Sequence, residues 1–483
     1  MPEAVGTGDR PLVVDLDGTL IAGDMFLEQC LLALKGGPAA WGGMAGAFTS
    51  GIASAKAWCA DHTRIDPATL PFRAEVLDWL RGEHARGRRL ILATAADRKV
   101  ADAVATHLGL FDLVLASEDG RNLKGRAKAE AIRETLGDAA FDYLGDSTAD
   151  RAVWSSAGRA HVVARGAADA QRLSDGVDVA HWIARPGAGA GTLLRAMRVH
   201  QWAKNALLFA PLFLSHSYTD PVAWSLALTA FLAMGLCASG TYFVNDLLDL
   251  ANDRVHPTKR HRPLAAGLIA PREGIVWASG LIGAGLLIGL AAGGVAVFAA
   301  LIAYIAITLS YSLYLKRVAI ADVMLLALLY LFRIVLGSVA TAIAISDWLA
   351  AFSIFFFTSL GFLKRLSDLP IETASSSDLR AGRGYAGRDA PLLTMLGVGA
   401  GYCSVIIMAL YINDPEVLSL YARPELLWAV CFVILFWLSR LWLLAHRREV
   451  PDDPVIFAVR DPISHGCGVL CLVLIVLASR MVG

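Results

Sequence analysis

Charge is what this sequence has least of. Only 18% of its 483 residues are Asp, Glu, Lys or Arg, 56% are hydrophobic and the mean hydropathy is +0.54; soluble domains carry about 25% charged residues. That excludes a wholly water-soluble chain. The 43 basic and 43 acidic side chains cancel, and no nucleic-acid partner is expected. The N-terminus has no basic region followed by an apolar core, so no signal peptide is expected, and the first apolar run, PLVVDL, is only strand length. Cysteine is sparse: seven residues, at 30, 59, 237, 403, 431, 467 and 471, none with zinc-ligand spacing beside histidine. They read as small buried apolar residues and say little about redox compartment.

The polar residues are unevenly spread. Residues 1–184 read as a soluble domain, 185–194 as a linker opened by RPGAGAG, and 195–483 as a membrane domain. In the first part RPLVVDLDGTL, GRRLILATAA, FDLVLAS, FDYLGDS and AHVVAR are strand-like and separated by helical sequence. That alternation predicts a parallel sheet with helices on both faces. Residues 24–81, between the first two strands, are helical in pattern and too many for a simple crossover, which predicts an inserted cap. Beyond the linker, nine apolar stretches reach or approach spanning length: 203–218, 222–244, 273–293, 294–315, 318–345, 348–363, 391–412, 425–445 and 463–482. The pair meeting at Gly293–Gly294 is one run that a turn must split. Lys and Arg gather in the loops after the second, fourth, sixth and eighth stretches. This places those loops and the N-terminal domain on the cytoplasmic side of the cell (inner or plasma) membrane.

Asp15 and Asp17, in VVDLDGTL, stand just past a strand, where sites form in parallel sheets. Thr94 lies near the end of LILATA, Lys128 opens a helix in KAEAI, and GDSTAD brings Asp146 and Asp150 to another strand end. A nucleophile, an acid/base, a hydroxyl, a cation and two more carboxylates are the components of phosphoryl transfer. Mg2+ would offset the repulsion between carboxylates and phosphate. Over residues 10–165 these motifs, in this order, resemble the haloacid dehalogenase superfamily of phosphatases. The resemblance implies a Rossmann-like α/β domain in which Asp15 forms an aspartyl-phosphate and Asp17 protonates the leaving group. Thr94 and Lys128 would hold the phosphoryl oxygens, with Asp15, Asp146 and Asp150 at Mg2+. Lys124 rivals Lys128, which is preferred because it begins a helix.

A second acidic set closes an apolar stretch, in YFVNDLLDLANDRVHPTKRHRP. Asn245, Asp249 and Asp253 are four apart and Asp246 is three before Asp249, so all fall on one helical stripe. A bare carboxylate in hydrocarbon costs about 2.5–3.5 kcal/mol on insertion scales. Three on one face point to an interface and a divalent cation, which itself attracts a diphosphate. Arg254, Lys259, Arg260 and Arg262 follow, either as phosphate contacts or as a topology signal.

The NDxxDxxxD pattern, with RVHQWAKN, YSLYLKRVAIADV, FRIVLGSVAT and FLKRLSDL, resembles the UbiA-type intramembrane prenyltransferases. Over residues 195–390 the finer likeness is to their polyprenyl-phosphate phosphoribosyltransferase branch; the last hundred residues match loosely. Aromatic prenyltransferases carry a second acidic cluster, of DxxxD kind, after the sixth span. Here that place holds LKRLSDL, two cations with a single nearby carboxylate, Asp368. The resemblance therefore implies phosphoribosyl pyrophosphate as donor and a polyprenyl phosphate as acceptor. Asp246, Asp249 and Asp253 would hold Mg2+-diphosphate, with Asn245 beside them. Lys204, Tyr311, Lys316, Lys364 and Arg365 are candidates for phosphate. Asp322 and Arg333, eleven apart on one face of the fifth span, either line the cavity or pair with other helices.

The expectation is thus a multidomain chain: an α/β phosphatase domain with a helical cap, then an all-α polytopic domain of about nine transmembrane helices. It would transfer 5-phosphoribose to a polyprenyl phosphate and then remove the 5-phosphate, yielding polyprenyl-phosphoryl ribose for cell-wall pentose donors, with Mg2+ in both domains. Two other readings stay open. An aromatic prenyltransferase with an unrelated phosphatase predicts turnover of prenyl diphosphates. A transporter or lipid-binding protein predicts no turnover at all, although the acidic stripe lies at one membrane face rather than at the midplane. Lipid chain length and homo-oligomer formation are not legible in the sequence.

Overall fold

The computed structural model describes residues 10–479 apart from 119, 186, 216–218, 370–383, 416–417, 419–420 and 451–452. It divides into two compact units, each discontinuous in sequence: Met1–Met197 with Tyr242–Ser279, and Arg198–Thr241 with Gly280–Gly483.

Six strands build the first unit: β1 (Leu12–Val14), β2 (Leu90–Asp97), β3 (Leu113–Ser117), β4 (Asp142–Gly145), β5 (Arg159–Ala164) and β6 (Val179–Ala184). They lie in the order β3-β2-β1-β4-β5-β6 and every pair is parallel. Leu12, Val13 and Val14 are all fully buried, as a central strand covered on both faces requires. Leu12, Val14, Leu90 and Leu92 enter one apolar layer, whereas Val13, Ile91 and Ala93 enter the other. Val14 stands opposite Leu92 and Leu144. The chain runs from β1 to β2 and β3 on one side, then returns to β4 on the other. The crevice at that reversal opens at the carboxyl ends of the strands, where Asp15 and Asp146 follow β1 and β4 directly.

The insert after β1 is helical, as expected: α1 (Met25–Leu34), α2 (Pro38–Thr49) and α3 (Ile52–His62). Asp24 caps α1 by accepting the Leu27 amide at 2.9 Å, and Pro38 opens α2 at the position where a missing amide costs nothing. The next helix, α4 (Ala74–Ala85), buries Val76, Leu77 and Leu80 in the sheet layer and so belongs to the crossover. The segment 242–279, also in this unit, holds the end of helix Pro221–Leu248, the short helix Leu250–Val255 and a basic loop leading to Pro271.

Among the described residues six helices are long and apolar enough to cross a membrane, or up to seven if the bent pair Pro454–Arg460 and Pro462–Ala478 is one span. The expectation of nine is corrected at two places, whereas the long run at Gly293–Gly294 is divided as anticipated. Pro271–Leu313 is a single 43-residue helical run broken at Gly294, where φ is +65°. Unbroken it would measure about 65 Å, twice the ~30 Å hydrocarbon thickness, so two of the expected stretches lie within it and the break falls at the anticipated turn. The stretch 203–218 is no span: Val199–Phe209 is wound as a 3-10 helix and Ala210–Leu214 adds five α-helical residues. The last stretch falls on the 17-residue helix Pro462–Ala478, which reaches spanning length only together with Pro454–Arg460, from which it is bent by 82°. Within the second unit, small residues let backbones meet: a Cβ on Gly337 would lie 2.0 Å from the Leu208 carbonyl oxygen.

Candidate functional sites

The carboxyl edge of β1 gathers the expected phosphoryl-transfer residues. The Asp15 amide donates to the Leu144 carbonyl at 3.0 Å, anchoring the residue against β4. Lys128 Nζ donates to Asp15 Oδ1 at 2.7 Å and to the Tyr143 hydroxyl at 3.0 Å, and lies 3.5 Å from Asp150. Asp150 is saturated with donors: the Tyr143 hydroxyl at 2.7 Å, the Ser147 amide and hydroxyl at 3.1 and 2.9 Å, and the Asp146 amide at 3.3 Å. Asp17 accepts the Met25 amide at 2.8 Å. Burial pushes the Asp15 carboxyl up to about 6 against the pull of Lys128. Burial, with Asp15 and Asp150 alongside, takes Asp146 to about 7. Asp17 is driven well above the usual carboxylate range by burial and by Asp24. Lys128 is lowered by burial but raised more by Asp15 and Asp150, and its net shift is upward. The array holds a lysine whose charged form two carboxylates favour, a carboxylate able to attack and a carboxyl whose protonated form burial favours.

Asp15, Asp146 and Asp150 bring carboxylate oxygens within 4.8 Å of one another. Hard oxygen donors at that spacing fit Mg2+. Because four donors already hold Asp150, Asp15 and Asp146 are the more available ligands, and Asp150 positions Lys128 and Tyr143. Gly18 makes the approach of Asp146 feasible: its φ is +79°, and a Cβ there would stand 2.3 Å from Asp146 Oδ2.

Thr94 is placed differently from the expectation. Its fully buried hydroxyl accepts the Ala96 amide at 3.0 Å, and it is absent from the residues lining the cavity over Asp15. Lys124 lines that cavity, whereas Lys128 makes the contact with Asp15. Sequence reasoning missed Lys56, Arg73, Asn122 and Arg185, all on the cavity wall. Lys56 donates to the Ala95 carbonyl and to Asn122 Oδ1; Arg73 donates to the Gly18 carbonyl, and Arg185 lies 3.2 Å from Asp146. Arg185 follows β6 at the same sheet edge, a signal hidden by reading RPGAGAG as linker alone.

The acidic stripe ends the helix Pro221–Leu248 and continues, after a break at Asp249, into Leu250–Val255. Asn245 gives its backbone carbonyl to the Asp249 amide. Arg262 bridges Asp246 at 3.1 Å and Asp253 at 2.6 Å, so those two carboxylates converge on one cation. Asp249 is instead met by Lys35, from the residue after α1, at 3.1 Å. The three are not collected as tightly as Asp15, Asp146 and Asp150, the one such group among the described residues. Arg254 turns to Glu28 of α1. Arg260 and Arg254 line a cavity of about 420 Å³, and Lys259 sits at the start of the turn before Arg262.

In the second unit the described charges named in the sequence analysis are mostly paired with other segments. Arg365, 1% exposed, contacts Asp322, Asp368 at 2.9 Å and the Tyr311 hydroxyl at 2.8 Å. The Tyr385 hydroxyl donates to Asp322 at 2.6 Å. Arg333 donates to Asn205 at 3.0 Å and lies over the rings of Tyr304 and Tyr330. Lys204 and Lys364 share Asp453. Lys316, half-buried, lies in the turn Leu315–Arg317. Of the two expectations for Asp322 and Arg333, pairing with other segments is what the structure shows.

Protein y4nM of Sinorhizobium fredii is 37% identical over 468 residues, which are 95% of this chain and 89% of that protein. The decaprenyl-phosphate phosphoribosyltransferase of Mycolicibacterium smegmatis is 34% identical over 196 residues, 39% of this chain and 60% of that enzyme. An apo phosphoserine phosphatase structure covers 37% of this chain and 94% of its own, at 13% identity and a TM-score of 0.26. The pattern of the UbiA prenyltransferase family matches residues 206–459, more than half of the sequence. With its apolar helices, its acidic helix end and that match, this chain is a multi-pass membrane protein of the UbiA prenyltransferase family.

Proposed function

We propose that the chain carries out two steps at the cytoplasmic face of a membrane. It transfers 5-phosphoribose from phosphoribosyl pyrophosphate to a polyprenyl phosphate, then hydrolyses the 5-phosphate to leave polyprenyl-phosphoryl ribose, a precursor for cell-wall pentose donors. One observation carries the reading: the Lys128–Asp15–Asp150 array at a parallel-sheet edge shares a chain with sequence 34% identical to a decaprenyl-phosphate phosphoribosyltransferase.

In the transfer, a lipid phosphate oxygen attacks the anomeric carbon as pyrophosphate leaves. Asp246, Asp249 and Asp253 would hold the metal-bound diphosphate once Arg262 and Lys35 release them, with Asn245 beside them. Lys204, Tyr311, Lys316, Lys364 and Arg365 keep their assignment to phosphate, and the protein's contribution is positioning and charge neutralisation.

In the hydrolysis, Asp15 attacks phosphorus through the oxygen that Lys128 leaves open, forming an aspartyl-phosphate. Asp17, held protonated by burial, gives its proton to the departing ribose oxygen. The resulting Asp17 carboxylate then takes a proton from the water that cleaves the acyl phosphate. Mg2+ held by Asp15 and Asp146 would withdraw charge from the phosphoryl oxygens.

The test is one incubation of purified protein with polyprenyl phosphate, Mg2+ and ribose-labelled phosphoribosyl pyrophosphate. Wild type should yield phosphate-free ribosyl lipid, Asp15→Asn should stall at the phosphorylated lipid, and Asp249→Ala should make neither. Label that never enters lipid overturns the donor assignment.

A further inference from the structure

The cavity over Asp15 is larger and more basic than one phosphomonoester needs. It encloses about 610 Å³, and seven Lys and Arg side chains line it against six carboxylates. A divalent ion on the Asp15–Asp146–Asp150 set adds to that excess of cations, which leaves positive charge for an anionic group besides the phosphomonoester.

The cations also divide by position. Lys128 and Arg185 contact the carboxylates of the reaction centre, Asp15 and Asp146. Arg165 and Arg272 do not: Arg165 meets Glu273 at 3.2 Å and Arg272 meets Asp24, with 58% and 72% of their side chains exposed. The Arg165–Glu273 pair is exposed on both sides and exchanges partners at little cost, Arg272 reaches the buried Asp24 from an exposed position, and guanidinium groups suit phosphate oxygens. Beside Arg272 the wall turns apolar, through Leu268, Ala270 and Pro271. That wall is packed closely onto the loop after β1: a Cβ on Gly267 would lie 2.7 Å from the Ala22 Cβ.

We propose that Arg165 and Arg272 form a second anion subsite. The phosphatase thereby selects a bis-anionic sugar, with a phosphomonoester at Asp15 and a phosphodiester at these arginines, whose prenyl stub rests on Leu268, Ala270 and Pro271. This rests on the phosphatase reading above and adds the residues that select its substrate.

The full-length Asp15→Asn/Asp249→Ala protein, with both reactions silenced, is titrated with three probes in Mg2+ by calorimetry: ribose 5-phosphate, ribose 1,5-bisphosphate and synthetic 5-phosphoribosyl geranyl phosphate. The same probes are given to the Asp249→Ala protein to follow phosphate release. The expected result is that both bis-anions bind about tenfold or more tightly than ribose 5-phosphate. The margin by which the geranyl compound exceeds the bisphosphate reports the apolar wall. Arg165→Gln/Arg272→Gln, added to the silent protein, should erase the preference for bis-anions. Equal binding of all three, with ribose 5-phosphate hydrolysed, overturns the subsite while the phosphatase stands. Tight binding of the geranyl compound alone also overturns it, leaving only an apolar contact. A preference that survives the arginine changes does the same. If no probe is hydrolysed, the phosphatase reading falls and the subsite with it.

Discussion

Glu28 and Arg254, 226 positions apart in sequence, form a two-point ion pair with both contacts at 2.7 Å and both side chains about 95% shielded. Removing one partner strands the other charge out of water. Glu28→Ala should destabilise the first unit by about 3–5 kcal/mol, whereas replacing both residues with methionine should cost far less. Thermal unfolding of the detergent-solubilised chain, compared across single and double variants, measures the difference.

Gly18→Ala should remove most phosphomonoesterase activity while the chain stays folded. A side chain at φ +79° and 2.3 Å from Asp146 Oδ2 must displace that carboxylate, at a backbone cost of roughly 1–3 kcal/mol. Phosphate release should drop by about a hundredfold or more, the penalty a misplaced group carries. Incorporation of labelled ribose into lipid should change little.

The stability of the metal-free protein should depend on pH in an unusual direction. Asp15 and Asp146 sit at about 6 and 7 when folded, against 3.8 as the ordinary value. A raised carboxyl contributes its stability below the unfolded value and loses it as pH rises through the folded one. Metal-free protein should therefore lose stability from about pH 4 to pH 7. Mg2+ must compete with those protons, so it should raise the melting temperature more at pH 7.5 than at pH 5. Equal shifts at both pH values contradict the assignment of these carboxylates to the metal.

Gly337→Ala and Gly399→Ala form a matched pair. At Gly337 the new Cβ meets the Leu208 carbonyl oxygen at 2.0 Å, whereas at Gly399 it meets nothing within 4 Å. The first should destabilise by about 1–3 kcal/mol through forced separation of packed segments; the second should be neutral or gain up to about 1 kcal/mol from helix propensity. Retention of the folded fraction during graded heating in detergent separates them.

What could be read from the sequence was what short-range rules govern. The strand before Asp15 shows as an apolar run, and the sheet-edge rule points to Asp15 and Asp146; an expected helix start ranks Lys128 above Lys124, although the helix begins two residues earlier, at Arg126. Pairings across long stretches of chain were out of reach. Lys35 meets Asp249 over 214 positions, and nothing local to KGGP announces an aspartate as its partner. Arg365 stands beside Lys364 in FLKRLSDL, and nothing in that motif announces its buried partner Asp322, 43 residues earlier. Hydropathy also misled the count of spans, since it scores apolar content and not winding. Val199–Phe209 carries Lys204 and Asn205 buried against Asp453 and Arg333 and adopts the tighter 3-10 form.

The return of residues 242–279 to the first unit bears on how the protein is born. The sheet and cap are translated by Met197, yet the loop that closes against Ala22 ends at Pro271 and the unit itself at Ser279. At ribosomal speeds of about 5–20 residues per second, those intervening residues take on the order of ten seconds. For that interval Glu28 waits in the nascent chain without its arginine, and the opening membrane segments must reach the lipid before the first unit can finish. Insertion and folding are therefore ordered in time, and a ribosome stalled between the two would leave an incomplete domain for the quality-control proteases.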